Sequence, residues 1–316
     1  MMGKTIETGE RSSAATRLLL NAVRFYTFNT PVAKGKYRLY QTVLDLIHEK
    51  PRALPTKIKD GRKMVVDLTT GMQESVYFVG EYETFITAIA REMIREGDVC
   101  IDVGANFGWY TTLMSLLSGR TGEVHAFEPV PQTFRELERN RALAPNQDRI
   151  FVNNFALGDQ EAIAQINVFK DLPSGHASLS SKGGSGASSF ECRVTTLDAY
   201  LTDRSSPDIN FVKVDIEGAE MMFLRGAEGL FEQKVPPVIL MEMALAQTRN
   251  FGYTPNDLIE FIAARADYAF YKVDEPGEVL IRIDGFDRDD IGANVFCVPA
   301  TAPAYITRAV ERFLKN

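Results

Sequence analysis

Four carboxylates stand at or near the ends of apolar runs, where a strand-built site gathers its chemistry. Asp102 lies within the run 98–103, Glu128 closes 123–127, Asp215 follows 209–214 and Glu242 closes 237–241. Burying an unpaired carboxylate is costly, so acids in these places need partners or serve a ligand. In a dry pocket a carboxylate's pKa rises, and it can take the proton of an attacking hydroxyl. Alternatively, Asp215, Glu217 and Glu242 offer the oxygen ligands that suit magnesium, which would polarise the same hydroxyl. Side-chain type alone leaves both readings open. Glu217 and Glu220 also open the next helix, where acids favour the helix dipole.

The elements that must position these acids centre on residues 98–129. The pattern reads as strand, glycine turn, helix, second turn and second strand. Gly104 and Gly108 remove side chains where the chain bends and approaches a ligand, while the helix N-terminus points free N–H groups there. Glu128 is placed to accept hydrogen bonds from both hydroxyls of a ribose. The dinucleotide fingerprint G-x-G-x-x-G shares this logic. Here, however, the order is Asp102, Gly104, Asn106 and Gly108 at alternate positions, with an acid before the turn and Asn in the middle. That acid would repel a pyrophosphate and suits a ligand carrying positive charge. S-adenosylmethionine, with its sulfonium and ammonium, is such a ligand.

The run from Asp102 through Gly104, Ala105, Asn106, Gly108, Tyr110 and Thr111, then Glu128-Pro129, then Lys213-Val214-Asp215-Ile216-Glu217-Gly218-Ala219-Glu220 followed by Leu224-Arg225-Gly226-Ala227, resembles the FkbM family of S-adenosylmethionine-dependent methyltransferases. The resemblance covers residues 80–300. It implies a class I methyltransferase fold and O-methylation of a sugar, glycan or glycosylated small molecule. The cofactor residues it implies are Asp102, Gly104, Ala105, Asn106, Gly108, Thr111, Glu128, Pro129 and Asp215. Ala156 and Leu157 join them beside the adenine by their place after the third strand. Asp215, Glu217 and Glu242 then belong to the reacting end.

Around this centre, the pattern predicts strands at 62–68 and 75–79, a helix at 83–94 and a third parallel strand at 149–154. Alternation between 162 and 197 predicts a β-hairpin insertion whose small, polar linker, 173–189, could close as a lid. His176 within that linker is a candidate acid, base or hydroxyl-orienting group. Strands at 209–214 and 237–242, an antiparallel pair at 268–273 and 294–298, and a final helix complete a seven-stranded, mostly parallel α/β sheet with helices on both faces. The expected organisation is a helical and short-strand extension over 1–80, the cofactor-binding domain over 81–300 and a C-terminal helix over 301–316.

Of the 316 residues, 45% are hydrophobic and 24% charged, with net charge −7, which suits a globular chain. Residues 1–60 hold 11 Lys/Arg against 5 Asp/Glu, and the rest 24 against 37. The acidic body argues against nucleic-acid binding, while the basic, amphipathic N-terminus could touch a membrane surface weakly or simply cap the catalytic domain. Cys100, Cys192 and Cys297 have no metal spacing and read as reduced packing residues. No run is long enough to span a membrane and none has the form of a secretory signal, so the cytoplasm is expected. The number of chains in the assembly is left open. Rival readings are a protein-methylating enzyme with an open groove, a non-catalytic cofactor-binding module and a nicotinamide-dependent oxidoreductase.

Overall fold

Val99, Cys100, Ile101 and Val103 form a short, nearly uncharged run, the composition of a strand covered on both faces. In the computed structural model, which describes residues 14–30, 35–168, 177–178, 188–202, 204 and 207–315, that run lies inside the main sheet. The chain divides into two compact units, residues 1–84 and 85–316.

The first unit contains α1 (Ala14–Asn29), α2 (Lys36–Asp45), a hairpin of β1 (Leu54–Lys57) and β2 (Lys63–Val66), and α3 (Gly71–Val79). α1 buries Leu20, Val23 and Thr27 and leaves Leu18, Phe25 and Tyr26 exposed. Several of the unit's basic groups are engaged within it. Arg24 donates to the carbonyls of Tyr77 and Lys57, Lys50 pairs with Glu74, and Lys59 with Glu81. Residues 75–79, expected as a strand, are the second half of α3. Their aromatic and β-branched residues favour a strand locally, but Val76, Tyr77 and Phe78 are buried, and Phe78 stacks on Tyr40 of α2. Gly80, left-handed at φ +76°, caps this helix, a signal present in the sequence.

The second unit begins with α4 (Thr84–Met93), β3 (Val99–Val103), α5 (Trp109–Ser118), β4 (Glu123–Phe127), α6 (Pro131–Arg141) and β5 (Ile150–Asn153). The insertion follows as β6 (Ala156–Leu157), β7 (Ala162–Val168), β8 (Ala177–Ser178) and β9 (Ser188–Thr195). Next come α7 (Leu197–Thr202), β10 (Phe211–Val214), α8 (Glu220–Arg225), α9 (Gly229–Glu232), β11 (Val238–Ala244), α10 (Leu245–Thr248) and α11 (Pro255–Ala263). The chain closes with β12 (Tyr268–Asp274), β13 (Val279–Ile283), β14 (Gly292–Pro299) and α12 (Ala304–Phe313). Pro131 opens α6, and Thr254 with Asp257 forms a capping box on α11, so local signals and fold agree at both starts.

Among the described residues the main sheet runs β13-β12-β14-β11-β10-β3-β4-β5. Neighbours from β11 to β5 are parallel, while β14, β12 and β13 add antiparallel pairs. There are eight strands rather than the expected seven. The extra edge strand is β13, which turns back from β12 after Pro276 and Gly277. From β3 the order steps outward to β4 and β5, then restarts on the other side with β10 and β11, which makes the gap between β3 and β10 the switch point where ligands of such sheets bind.

A second sheet, β6-β9-β7-β8, holds the insertion, with β7 and β9 paired antiparallel as the alternation predicts. Residues 173–176 and 179–187 of the linker, His176 among them, lie outside the described residues. The three cysteines are free and buried. No helix among the described residues is long and apolar enough to cross a membrane.

Candidate active site

Register places the acids. Val103 pairs with Phe127 on one side and with Val214 on the other, and Val214 pairs with Met241. The residues one step beyond these are Glu128, Gly104, Asp215 and Glu242. Three carboxylates and a glycine therefore form one row along the carboxyl edge of four adjacent strands.

The turn after β3 has the backbone its residues permit. Gly104 is left-handed at φ +79°, and a Cβ there would stand 1.9 Å from the Asp215 carbonyl oxygen. Its N–H and that of Ala105 both donate to the Phe127 carbonyl at 3.0 Å. Asn106 is left-handed at φ +50°, which Asn tolerates better than most residues, and its side chain accepts from the Phe107 N–H at 2.8 Å. Gly108, at φ +94°, then leads into α5.

Asp102 is 1% exposed. Its Oδ2 accepts from the Thr111 hydroxyl at 2.6 Å, and its Oδ1 is buried without a hydrogen-bond partner among the described residues. Burial pushes its pKa up, against the pull of the Lys213 charge and the Thr111 hydrogen bond. Glu128, also buried, receives the N–H of Val130 on Oε1 and of Asn106 on Oε2, each at 2.9 Å. Each oxygen retains acceptor capacity. Asn154 fixes the following backbone by donating to the carbonyls of Glu128 and Pro129.

The profile of the Methyltransferase FkbM domain matches residues 102–270, from the acid before the glycine turn to β12. The chain belongs to the FkbM methyltransferase family. The cofactor of that family is S-adenosylmethionine, and the mostly parallel sheet is of the α/β class. The hexuronic acid methyltransferase AglP of Haloferax volcanii is 28% identical, with 46% of this chain and 56% of that protein covered. The 31-O-demethyl-FK506 methyltransferase FkbM of Streptomyces tacrolimicus is 28% identical, with 43% and 61% covered. The chain thus spans less than two thirds of the length of these curated relatives. A solved structure of methyltransferase FkbM from Methylobacillus flagellatus is 16% identical over 71% of this chain and 52% of that one, with a TM-score of 0.40.

The FkbM turn fits this cofactor on its own chemistry. The Asp102 Oδ1 lacks a hydrogen-bond donor among the described residues, and the Glu128 carboxylate has room for hydroxyl donors. Ala105, 4% exposed, packs with Ala126 and Leu137, and Thr111, fully buried, holds Asp102. Ala156 and Leu157 form β6 and bury their side chains in hydrophobic clusters.

At the other end of the row, Lys213 donates to the Asp215 Oδ2 at 3.0 Å. Glu217 sits at φ +55° and accepts from Gln247 Nε2 at 3.3 Å. Glu220 is bound inward, accepting from the N–H groups of Gly218 and Ile216 and from the Tyr253 hydroxyl. It ties down the loop that leads into its own helix. Among the described residues no hydrogen-bond donor reaches Glu242, which feels the charges of Asp215, Glu217 and Glu220. No group of three or more His, Cys, Asp or Glu among the described residues is arranged to hold a metal ion.

Lys213 and Tyr110 are the residues to which sequence reasoning gave no role. Lys213 is a lone charge in the apolar run 209–214, and that anomaly was the available signal.

Burial pushes Glu128 and Glu220 up to about 7 and Glu242 up to about 8, from an ordinary 4.5. A carboxyl that holds its proton more tightly when folded stabilises the fold fully below the unfolded value, and that stability is lost as pH rises through the folded one. The melting temperature of the ligand-free protein should therefore fall between about pH 5 and pH 8, as calorimetric scans would record. A rise across that interval would contradict this account of the buried acids.

Proposed function

We propose that this enzyme transfers a methyl group to a hydroxyl of a sugar, a glycan or a glycosylated small molecule, with Glu242 as the base. The observation that carries the reading is Glu242 itself. It is a carboxyl pushed up to about 8, one step along the strand-end row from Asp215 and two from Gly104 of the cofactor turn, with no donor among the described residues. The names of two relatives point the same way, one a hexuronic acid methyltransferase and the other a 31-O-demethyl-FK506 methyltransferase.

Asp102, Glu128 and the turn from Gly104 to Gly108 would hold the cofactor, with Ala105, Thr111 and Pro129 supporting them. Bound there, the cofactor supplies an activated methyl group on a sulfonium, so the protein has little covalent work to do. Asp215, steadied by Lys213, orients the acceptor hydroxyl, and Glu242 takes its proton as the oxygen gains the methyl. Glu217 raises the proton affinity of Glu242 through its charge. Alignment of the reacting atoms can account for about 7–11 kcal/mol of barrier, and proton removal for about 10²- to 10⁴-fold in rate. This scheme routes no step through magnesium, so EDTA added to the assay should leave the rate unchanged, and a lost rate would return Asp215, Glu217 and Glu242 to the role of metal ligands.

The deciding experiment incubates the protein with methyl-labelled cofactor and separate panels of glycosides, uronic acid glycosides, macrocyclic alcohols and peptides. New O-methyl signals by NMR on a non-peptide acceptor are expected. Label on peptides alone, or on nitrogen, would overturn the reading. A base that titrates near 8 in the free enzyme also makes kcat/KM rise with pH and level off above about 8.

A further inference from the structure

Lys213 is 5% exposed in a strand whose other three residues are buried and apolar. A lysine is rarely buried without compensation, and its surroundings show what the compensation is. In the parallel register Lys213 stands directly beside Asp102 of β3, so the two side chains leave the sheet on the same face. Its Nζ pairs with the Asp215 Oδ2 at 3.0 Å and lies 4.9 Å from the centre of the buried Tyr110 ring. α5 thus contributes to both ends of one cluster, with Tyr110 against the ammonium and Thr111 on Asp102.

We propose that Lys213 is a positioning residue for methyl transfer, the shared counter-ion that ties Asp102, on the cofactor side, to Asp215, on the acceptor side. This rests on the roles given above to those two acids. One ammonium between two carboxylates leaves the cluster with a single net negative charge. That is the complement of the positive charge the methyl donor carries and its product lacks. Lys213 also limits the cost of keeping Asp102 charged in a dry place, since its field opposes the effect of burial.

The groups facing this cluster are Asp102 from β3, Asp215 from the end of β10, Glu242 from β11, Glu128 from the end of β4 and Tyr110 from α5. S-adenosylmethionine binding to the full chain, measured by calorimetry from pH 5 to 9, tests the proposal. Binding by the unaltered protein should weaken on the acid side as Asp102 takes up a proton. An opposite charge within about 4–6 Å moves a carboxyl by about one to three pH units. In Lys213→Met the weakening should therefore begin about one to three pH units higher, and in Lys213→Arg it should stay near its original place. Asp215→Asn removes a negative charge beside Asp102 and should move the weakening to lower pH. Titration of the ligand and of Glu128 is common to all the variants and drops out of their differences.

If Lys213→Met binds more weakly by the same factor at every pH, Lys213 is merely structural and the proposal fails. Should Lys213→Met not fold, Asp215→Asn decides: a shift to lower pH supports the proposal and an unmoved profile overturns it. Asp102→Asn separates the two levels of argument. Unchanged affinity in that variant would remove the cofactor role of Asp102 and the proposal with it. Weakened binding there, with a flat Lys213→Met profile, would sink the Lys213 proposal alone.

Discussion

Glu242→Gln is expected to lower kcat by about 10²- to 10⁴-fold, the range over which a general base contributes. S-adenosylmethionine affinity should remain within a few-fold of the original. Glutamine keeps the shape of the side chain and loses the ability to take a proton, so the variant isolates that one function. The substitution should also be structurally mild, because no hydrogen bond from the described residues depends on the Glu242 carboxylate. Removing a carboxyl whose pKa is raised by burial and by three neighbouring acids should, if anything, stabilise the fold near pH 8, where its charge is most costly. A variant that turns over normally would exclude Glu242 as the base and return that role to Asp215. The pH profile gives a second check: the rise toward pH 8 should disappear in Glu242→Gln along with most of the rate.

Gly104→Ala is expected to fail differently, through the backbone. A left-handed φ costs a non-glycine residue about 1–2 kcal/mol. The added Cβ, 1.9 Å from the Asp215 carbonyl oxygen, cannot be accommodated by a side-chain rotation, and overpacking of this kind costs about 1–3 kcal/mol more. For a unit of this size, a melting temperature lower by about 5–15 °C follows. Cofactor affinity should fall at least about 10-fold, since the strand end carrying Asp215 must move away from the turn. Thermal unfolding with and without S-adenosylmethionine measures both effects. A Gly104→Ala protein with normal melting and normal binding would mean that the β3 turn and the β10 end are not in the contact described here.

Much of this arrangement could be read in the sequence because it depends on short-range rules. The acids ending 123–127, 209–214 and 237–241 were visible as charges terminating apolar runs, and the parallel register then set Glu128, Asp215 and Glu242 side by side. The α/β class followed from the alternation of such runs with helical periods. Readings failed where tertiary contacts outweighed local preference. Residues 75–79 look like a strand, yet α3 buries their aromatic residues against the rest of its unit. Among the described strands the edge strand β13 pairs with β12 alone, and its composition is mixed, so its alternation was too weak to stand out. Glu217 and Glu220 both open the same helix in sequence, but Glu220 turns back to accept the N–H groups of Ile216 and Gly218, while Glu217 accepts from Gln247. The lone charge of Lys213 in an apolar run is legible in the sequence, but its place beside Asp102 across a parallel pair is invisible in one dimension.

The strand-end row also divides the chain's inheritance into two portions. Residues expected to hold the donor come mainly from β3, β4 and the segments that follow them, and those expected to handle the acceptor from β10, β11 and the segments that follow them. The dividing line in space, between β3 and β10, is also a dividing line along the chain. A crossover between relatives anywhere from β5 to β10 would therefore exchange acceptor-handling residues as a block while leaving the donor turn intact. Lys213 and Asp215 would travel together in such an exchange, and a foreign block lacking the lysine would arrive with its charge unmatched to Asp102. Recombination within this fold can diversify what is methylated without rebuilding how the methyl donor is held, on the condition that one lysine comes along.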